Sequence, residues 1–250
     1  MKFFIKKILK FFGYELTKYN SSVYRINSQH FLPIKENDKD WIINLKGFKK
    51  SKNIYDDFLT KIRFYSMTQL IKNILKKDKI YDFVECGCWR GHSSYIISEL
   101  IKKKKITFHI FDSFEGLSSS SLKDGNFFFR KDKKRIEQQF VSDEFFVKNN
   151  VLKKFNFVKF YKGWIPNRFK EVKNKKFSFV HIDLCLYKPT LEALKFFYPR
   201  LVKGGIIVSN VYNSSVFPGE TRAWNEYFRA GDKKNFFFKH ALNHCFLIKN

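Results

Sequence analysis

The chain has 250 residues, 44% hydrophobic and 29% charged, which is enough apolar material for one sizeable domain with a buried core. It contains no apolar run of the roughly 18 residues that a membrane-spanning helix requires. Its four cysteines, Cys86, Cys88, Cys185 and Cys245, are too scattered for a disulfide framework. These features argue against membrane-spanning and disulfide-stabilised proteins and favour the reducing cytoplasm.

The net charge of +26 comes from 49 basic and 23 acidic residues. Such a charge attracts phosphates, nucleic acid and anionic lipid headgroups. A compositional bias toward Lys, Phe, Ile and Asn explains it equally well. Because no zinc-finger spacing or RNA-binding aromatic motif accompanies the charge, nucleic acid is not a favoured partner.

Residues 1–20 begin with a basic amphipathic pattern that predicts a helix ending near Gly13. Such a helix can lie on an anionic membrane surface through residues 1–12. The alternative is a helix that docks on the domain or on a second copy of the chain. Lysines interrupt the apolar positions and no small-residue cleavage site follows, which argues against a secretory signal. The apolar positions are Phe4, Ile5, Ile8, Leu9 and Phe12.

Residues 21–75 are expected to form an N-terminal helical region on the substrate side, together with the insert 118–150. Within it, residues 56–79 carry an approximate helical stripe. The stripe consists of Phe58, Ile62, Tyr65, Leu70, Ile71 and Leu75.

Residues 76–250 alternate short apolar runs, typical of strands, with helical segments, which predicts an α/β domain with a mostly parallel sheet and helices on both faces. Two closing apolar runs without a helix between them predict an antiparallel hairpin at the edge, giving seven strands. The runs are "IYDFVECG", "KITFHIFDSF", "FNFVKFYKG", "KFSFVHIDL", "GGIIVSNVY", "NFFFKHAL" and "HCFLIK".

The stretch "FVECGCWRGHSS" lies where the first of these strands passes into a helix, which is where such sheets bind ligands. Gly87 and Gly91 allow a tight turn, and Glu85 stands beside it. The spacing lacks the third glycine of a dinucleotide fingerprint and the Gly-Lys-Ser/Thr of a phosphate loop. A loop with a carboxylate favours a ligand that carries a cationic amine.

Asp112 ends the next strand, where a carboxylate can accept the two hydroxyls of a ribose. The alternatives are a helix cap or a surface acid at Asp112, and a buried acid paired with a lysine at Glu85. Taken together, the two acids favour a nucleoside with an amino-acid tail.

Cys86 and Cys88 are separated by one residue, not by the two of a redox pair, and no second pair completes a zinc site. They are interpreted as small core-facing residues on either side of the turn.

Over about residues 80–228, the sequence resembles the class I S-adenosylmethionine-dependent methyltransferases, specifically the macrocin O-methyltransferase (TylF-like) family. The resemblance depends on five segments that occur in the order of the family: "FVECGCWRGHSS", "FDSFEGL", "GWIPNRF", "HIDLCLYKPTLEALKFFYPRLVKGGIIV" and "FPGETRAWNEYF". It implies a Rossmann-like fold, S-adenosylmethionine as cofactor, and a sugar hydroxyl of a glycan or glycoside as acceptor. It also suggests dimers or larger homo-oligomers.

The resemblance implies a role for each matching position. The loop from Glu85 through Ser93 would hold the methionine part of the cofactor, and Asp112 the ribose. Asp183 would lie at the active-site end of the fourth strand. The residues expected around the adenine are Ser113, Phe114, Gly163 and Trp164.

The metal-binding pattern of the family is incomplete in this chain. Members carry "DxDLYxPT" and, later, "DDY"; here Asp183 remains, Cys185 replaces the second acid, and Asn210-Val211 replaces the later pair. A hard cation such as Mg²⁺ binds several oxygens, including carboxylates. The sequence therefore does not favour a metal site, and Asp183 with Asn210 is interpreted as its remnant.

Two mechanisms stay open. In the first, methyl transfer proceeds without metal, with His92, His181 or Asp183 as general base; His181 and Asp183, two apart on a strand, would face the same side. In the second, the site binds the cofactor without turnover. The favoured protein is a cytoplasmic O-methyltransferase. The basic helix of residues 1–12 would hold it as a peripheral protein at the inner face of the membrane, where it would meet lipid-linked glycans.

Overall fold

The computed structural model describes residues 14–18, 24–28, 38–55, 57–228, 235–241 and 243–250. It divides into two compact units, residues 1–42 and residues 43–250. In the first unit, strands β1 (Tyr14–Lys18) and β2 (Tyr24–Ser28) pair in antiparallel fashion. The amphipathic helix predicted within residues 1–12 lies outside the described residues, and Tyr14–Lys18, at the end of that segment, is a strand.

Two helices precede the central sheet. Helix α1 spans Lys39–Ser51 and helix α2 spans Phe58–Leu75. The Asp57 carboxylate caps α2, because it accepts hydrogen bonds from the Thr60 main-chain N–H at 2.8 Å and from the Thr60 hydroxyl at 2.9 Å. Helix α2 lies within the second unit.

The face of α2 that packs on the core coincides only in part with the predicted stripe. Four residues at helical spacing are buried: Phe64, Met67, Ile71 and Ile74. Of the predicted stripe only Ile71 is among them. Leu70 and Leu75 of the stripe are partly buried and pack against the same core, so the helix is confirmed and its predicted stripe overlaps the buried face in part. Because α2 has apolar residues on more than one face, periodicity alone does not identify the most buried one.

Seven strands form the central sheet in the order β5-β4-β3-β6-β7-β9-β8. The first five are parallel, and β9 and β8 close the edge as an antiparallel pair. The predicted mostly parallel seven-stranded sheet with its terminal hairpin is confirmed. The strands are β3 (Asp82–Cys86), β4 (Phe108–Asp112), β5 (Val158–Lys162), β6 (Phe177–Ile182), β7 (Leu201–Ser209), β8 (Phe236–Ala241) and β9 (His244–Lys249).

Helices cover both faces of this sheet, because successive side chains of a strand point to opposite faces. Phe83 packs with α2 and with α3 (His92–Ile101), whereas Val84 packs with α6 (Tyr187–Phe197) and α7 (Pro218–Tyr227). Both faces of the central strands are buried, which explains their near-continuous apolar runs.

The segment between β4 and β5 contains a 3₁₀ turn (Leu122–Phe127), helix α4 (Lys133–Gln139), and the single turn α5 (Glu144–Phe146), which continues as a π turn over Val147–Val151. A further 3₁₀ turn spans Phe169–Val172. Among the described residues, no helix is long and apolar enough to cross a membrane.

Candidate active site

A cavity of about 550 Å³ opens at the carboxyl ends of the parallel strands. Its wall includes Gly87 after β3, Asp112 and Ser113 at the end of β4, Trp164 after β5, and Asp183 after β6. Pockets at this edge are where α/β sheets bind their ligands, and the volume is sufficient for a nucleoside-sized molecule.

Gly87 adopts a φ of 85°, and Gly91, which precedes α3, a φ of 80°. At Gly87 a Cβ would overlap the main-chain carbonyl oxygen of Asp183, so a larger residue would separate β3 from β6. The loop is held from both sides: the Gly87 N–H donates to Phe111 O at 2.9 Å, and the Asp183 N–H donates to Cys86 O at 2.9 Å. The loop therefore needs glycine for a close approach of two backbones.

The Asp112 carboxylate fixes the same loop. Its Oδ2 accepts hydrogen bonds from the N–H groups of Cys88 at 2.7 Å and Trp89 at 2.9 Å, and its Oδ1 accepts one from Phe114 at 2.7 Å. Burial raises the pKa of Asp112, and these main-chain donors oppose that rise. Asp112 also lines the cavity, so the carboxylate predicted to hold a ribose first shapes the loop beside it.

Glu85 is fully buried and does not line the cavity. Its Oε1 accepts a hydrogen bond from His181 Nδ1 at 2.8 Å, and its Oε2 accepts one from the Ser94 hydroxyl. The predicted contact between Glu85 and the amine of the cofactor therefore has no direct geometric basis. The carboxylate instead connects β3 to β6 and to α3.

A chain of hydrogen bonds continues from Glu85 through the interior. Asn210 Nδ2 donates to His181 Nε2 at 2.9 Å, and His244 Nδ1 donates to Asn210 Oδ1 at 3.0 Å. The Ser66 hydroxyl donates to His244 Nε2 at 3.2 Å. Every donor in this series faces an acceptor when both imidazoles are neutral. His181, predicted as a candidate base, is enclosed in this chain and does not line the cavity.

Asp183 does line the cavity. Burial raises its pKa, while the charges of His181 and Arg63 and a hydrogen bond from Asn210 lower it. A carboxylate whose pKa is raised is a stronger proton acceptor once it has ionised. Asp183 is therefore a base candidate whose carboxylate lines the cavity, and Asn210 of the interior chain hydrogen-bonds to it.

His92 lines the cavity, but protein groups occupy both of its ring nitrogens. Asn53 Nδ2 donates to Nδ1 at 3.0 Å, and Nε2 donates to the main-chain oxygen of Asn44 at 3.0 Å. Burial lowers the pKa of His92 to about 4. These contacts favour a structural role over the predicted role of general base.

The remaining predicted cofactor residues divide into two groups. Ser93, Ser113, Gly163 and Trp164 line the cavity, as expected. Phe114 is buried and Gly91 packs beneath Val147, and neither lines it.

The donor atoms around Asp183 do not fit a divalent metal ion. Cys185 is buried, its N–H donates to Glu220 at 2.9 Å, and burial raises the pKa of its thiol well above the usual range. The Asn210 amide is held between two imidazoles. No group of three His, Cys, Asp or Glu side chains among the described residues is arranged to hold a metal.

Arg63 on α2 and the buried Glu220 on α7 were not anticipated from the sequence. Arg63 lines the cavity, and its Nη1 donates to Asn210 O at 2.9 Å. Glu220 accepts from Cys185 N and from the Ser209 hydroxyl, and burial raises its pKa to about 8. The segment "FPGETRAWNEYF" contains Glu220 and could have drawn attention to it, whereas Arg63 lies outside every motif.

Comparison with known proteins places the chain in a family. The model of the macrocin O-methyltransferase (TylF) family matches residues 47–236. No curated protein matches the chain.

Solved structures share the fold at low sequence identity. The O-methyltransferase NovP has a TM-score of 0.62 at 20% identity, over 85% of this chain and 88% of that one. The calicheamicin methyltransferase CalS11 has a TM-score of 0.53 at 15% identity, over 86% and 94%. The SAH-bound Podospora anserina methyltransferase PaMTH1 has a TM-score of 0.50 at 14% identity, over 87% and 97%. Because the family model covers well over half of the sequence, the chain belongs to the macrocin O-methyltransferase (TylF) family and is an S-adenosylmethionine-dependent O-methyltransferase.

Proposed function

We propose that this enzyme methylates a hydroxyl group of a sugar, in a glycan, a glycoside or a nucleotide-activated precursor, without a divalent metal ion. The observation that carries the proposal is the cavity at the carboxyl ends of the strands, where the Asp183 carboxylate lies beside the Arg63 guanidinium. CalS11, in its apo structure, is a TDP-rhamnose 3'-O-methyltransferase (TM-score 0.52, 15% identity, 86% and 96% coverage), which supports a sugar acceptor.

The residues of the cavity fit the cofactor. Asp112 offers carboxylate oxygens to the ribose, and Trp164 and Ile165 offer apolar surface to the adenine. The loop at Gly87 offers main-chain groups beside them. When bound, S-adenosylmethionine supplies a methyl group on a positively charged sulfur.

The remaining wall of the cavity suits a sugar. Arg130, Arg135 and Gln139 present groups that can hydrogen-bond to hydroxyls, and Tyr55 and Trp89 present aromatic surface to the apolar face of a sugar ring. The rings of Tyr55 and Trp89 lie 5.6 Å apart between centroids. Asp183 accepts the proton of the acceptor hydroxyl, and the cavity keeps that oxygen in line for the transfer.

The test has two steps. First, S-adenosylhomocysteine binding is measured by calorimetry. Second, release of S-adenosylhomocysteine from S-adenosylmethionine is followed with a panel of nucleotide-activated and lipid-linked sugars, TDP-rhamnose included, in the presence of EDTA. We expect binding, and turnover with at least one sugar. Absence of binding would reject the cofactor site; binding without turnover on any acceptor would favour a catalytically inactive protein.

Asp183→Asn should retain S-adenosylhomocysteine affinity within about threefold and lower turnover by at least about 100-fold, which is the typical contribution of a general base. Asp78→Asn, which removes an exposed carboxylate away from the cavity, is the matched control.

We also propose that the basic amphipathic sequence of residues 1–12 places the enzyme at an anionic membrane surface, where lipid-linked acceptors occur. The pattern of lysines and large apolar residues supports this. Co-sedimentation with vesicles containing phosphatidylglycerol should decrease when residues 1–13 are deleted. Unchanged partitioning would reject the proposal.

A further inference from the structure

Arg63 occupies a fixed position beside Asp183 and Asn210. Its Nη1 donates to Asn210 O at 2.9 Å, and its Nη2 donates to the Thr60 hydroxyl at 2.9 Å. Thr60 is in turn held by the Asp57 carboxylate at 2.9 Å. The guanidinium is thus fastened to the first turn of α2 and to the end of β7.

This position also gives Arg63 access to ligands. Arg63 lines the cavity, and a guanidinium carries five N–H donors, so hydrogen bonds to a bound oxygen can be added to the two already made. Its charge acts directly on the Asp183 carboxylate. Unlike a lysine, an arginine keeps its charge when it is partly buried.

The structure assigns to Arg63 the role of a built-in cation: we infer that the acceptor oxygen is held between the Arg63 guanidinium and the Asp183 carboxylate, with the guanidinium supplying the positive charge that a metal ion would otherwise supply. The inference deepens the proposed function and depends on it. Two observations carry it independently of any acceptor: the donor atoms near Asp183 do not fit a divalent ion, and a fixed positive charge lies beside them.

The chemistry balances with these groups alone. As the bond from the acceptor oxygen to the methyl carbon forms, the carbon–sulfur bond breaks and its electron pair remains on sulfur. The hydroxyl proton passes to Asp183. Arg63 stays protonated and stabilises the negative charge that develops on the oxygen.

The first experiment measures binding of Mn²⁺ alone, by electron paramagnetic resonance, with S-adenosylhomocysteine present. Wild-type protein is expected to bind no Mn²⁺ at this site. Stoichiometric binding that Asp183→Asn abolishes would overturn the inference.

The second experiment asks whether Arg63 occupies the cation position. Asn210→Asp places a second carboxylate beside Asp183. The Arg63 guanidinium should pair with the new carboxylate, and its positive charge should weaken the binding of Mn²⁺. Arg63→Gln combined with Asn210→Asp should bind Mn²⁺ at least about tenfold more tightly than Asn210→Asp alone, because removal of a close positive charge favours a cation. Equal affinities would overturn the inference.

Arg222→Gln combined with Asn210→Asp is the matched control, since it removes the same charge from an exposed arginine that contacts Leu122 O and Lys123 O. Its Mn²⁺ affinity should equal that of Asn210→Asp. If Asn210→Asp fails to fold, as judged by circular dichroism, Cys185→Asp replaces it in the same comparison.

The third experiment applies to any acceptor found by the sugar screen. Arg63→Gln should lower kcat at least about 100-fold while S-adenosylhomocysteine affinity stays within about threefold, and Arg63→Lys should restore part of kcat. An unchanged kcat would overturn the inference. Failure to find any acceptor would count against the proposed function only, because the Mn²⁺ measurements do not require turnover.

Discussion

Asp112 Oδ2 accepts a hydrogen bond from the main-chain N–H of Cys88 at 2.7 Å, so that the acid at the end of one strand shapes the loop that follows its neighbour. Hydrogen bonds to a charged group contribute about 1.5–3 kcal/mol each. Asp112→Asn removes that charge and sets an amide against the N–H donors of the loop. We expect S-adenosylhomocysteine affinity to fall at least about tenfold, measured by calorimetry. Asp78→Asn is the control, and an affinity equal to wild type would contradict the role of Asp112.

Gly87→Ala tests the contact between the glycine loop and β6. The Cβ would overlap the Asp183 carbonyl oxygen at a φ of 85°, and we expect a loss of several kcal/mol of unfolding free energy in urea, on the order of 3. Gly91→Ala is the control, since its φ of 80° imposes similar backbone strain while its Cβ would meet only valine side chains. If both variants lose the same stability, the overlap with β6 contributes nothing.

Substitution of Glu85 distinguishes a structural role of this acid from direct contact with the cofactor amine. Glu85→Ala leaves the His181 N–H and the Ser94 hydroxyl buried without their acceptor, and we expect it to cost about 3–5 kcal/mol of unfolding free energy. Glu85→Gln keeps one acceptor oxygen and should cost less.

Because Glu85 does not line the cavity, folded Glu85→Gln protein should keep S-adenosylhomocysteine affinity within about threefold. A loss of tenfold or more would restore the prediction, made from the sequence, that Glu85 contacts the cofactor amine.

Acid should destabilise the protein through His92 and His244, which burial holds neutral with a pKa of about 4 each. Between pH 6.5 and 4 the unfolded chain binds protons on these residues and the folded protein does not, so stability falls as the pH falls through this window. Each histidine lowers the free energy of unfolding by about 3 kcal/mol once the pH is below its pKa in both the folded and the unfolded state. His181 opposes this trend, since Glu85 raises its pKa against the effect of burial.

Urea unfolding at several pH values measures this slope. His92→Gln should flatten it, and His240→Gln, at an exposed histidine, should leave it unchanged. A slope that is the same in wild type and His92→Gln would contradict the role of His92.

Local signals were sufficient for the architecture. The turn at Gly87 and the acid at Asp112 lie within a few residues of strands that periodicity identifies, and parallel strands bring their carboxyl ends to one edge. The sheet and the cavity follow from these features.

The polar interior was not predictable in the same way. Arg63 reaches Asn210 across 147 positions of the chain, and His244 reaches the same residue from β9. Such contacts depend on how helices and strands pack, which the spacing of residue types does not record. The sequence placed His181 and Asp183 on one side of a strand, but the strand ends at Ile182, so His181 lies in the core while Asp183 follows in the loop.

The position of Asn210 between two imidazoles has a consequence for charge movement inside the protein. A carboxamide donates and accepts hydrogen bonds but does not take up or release a proton, so Asn210 does not relay protons between His181 and His244. A proton bound at His181 Nε2 would face the N–H₂ group of Asn210. To accept a hydrogen bond from it, the Asn210 amide must rotate by 180°, and His244 must then move its own proton from Nδ1 to Nε2. The two rings therefore exchange no proton through Asn210, although the charge of His181 acts on His244 and the orientations of the two rings are coupled.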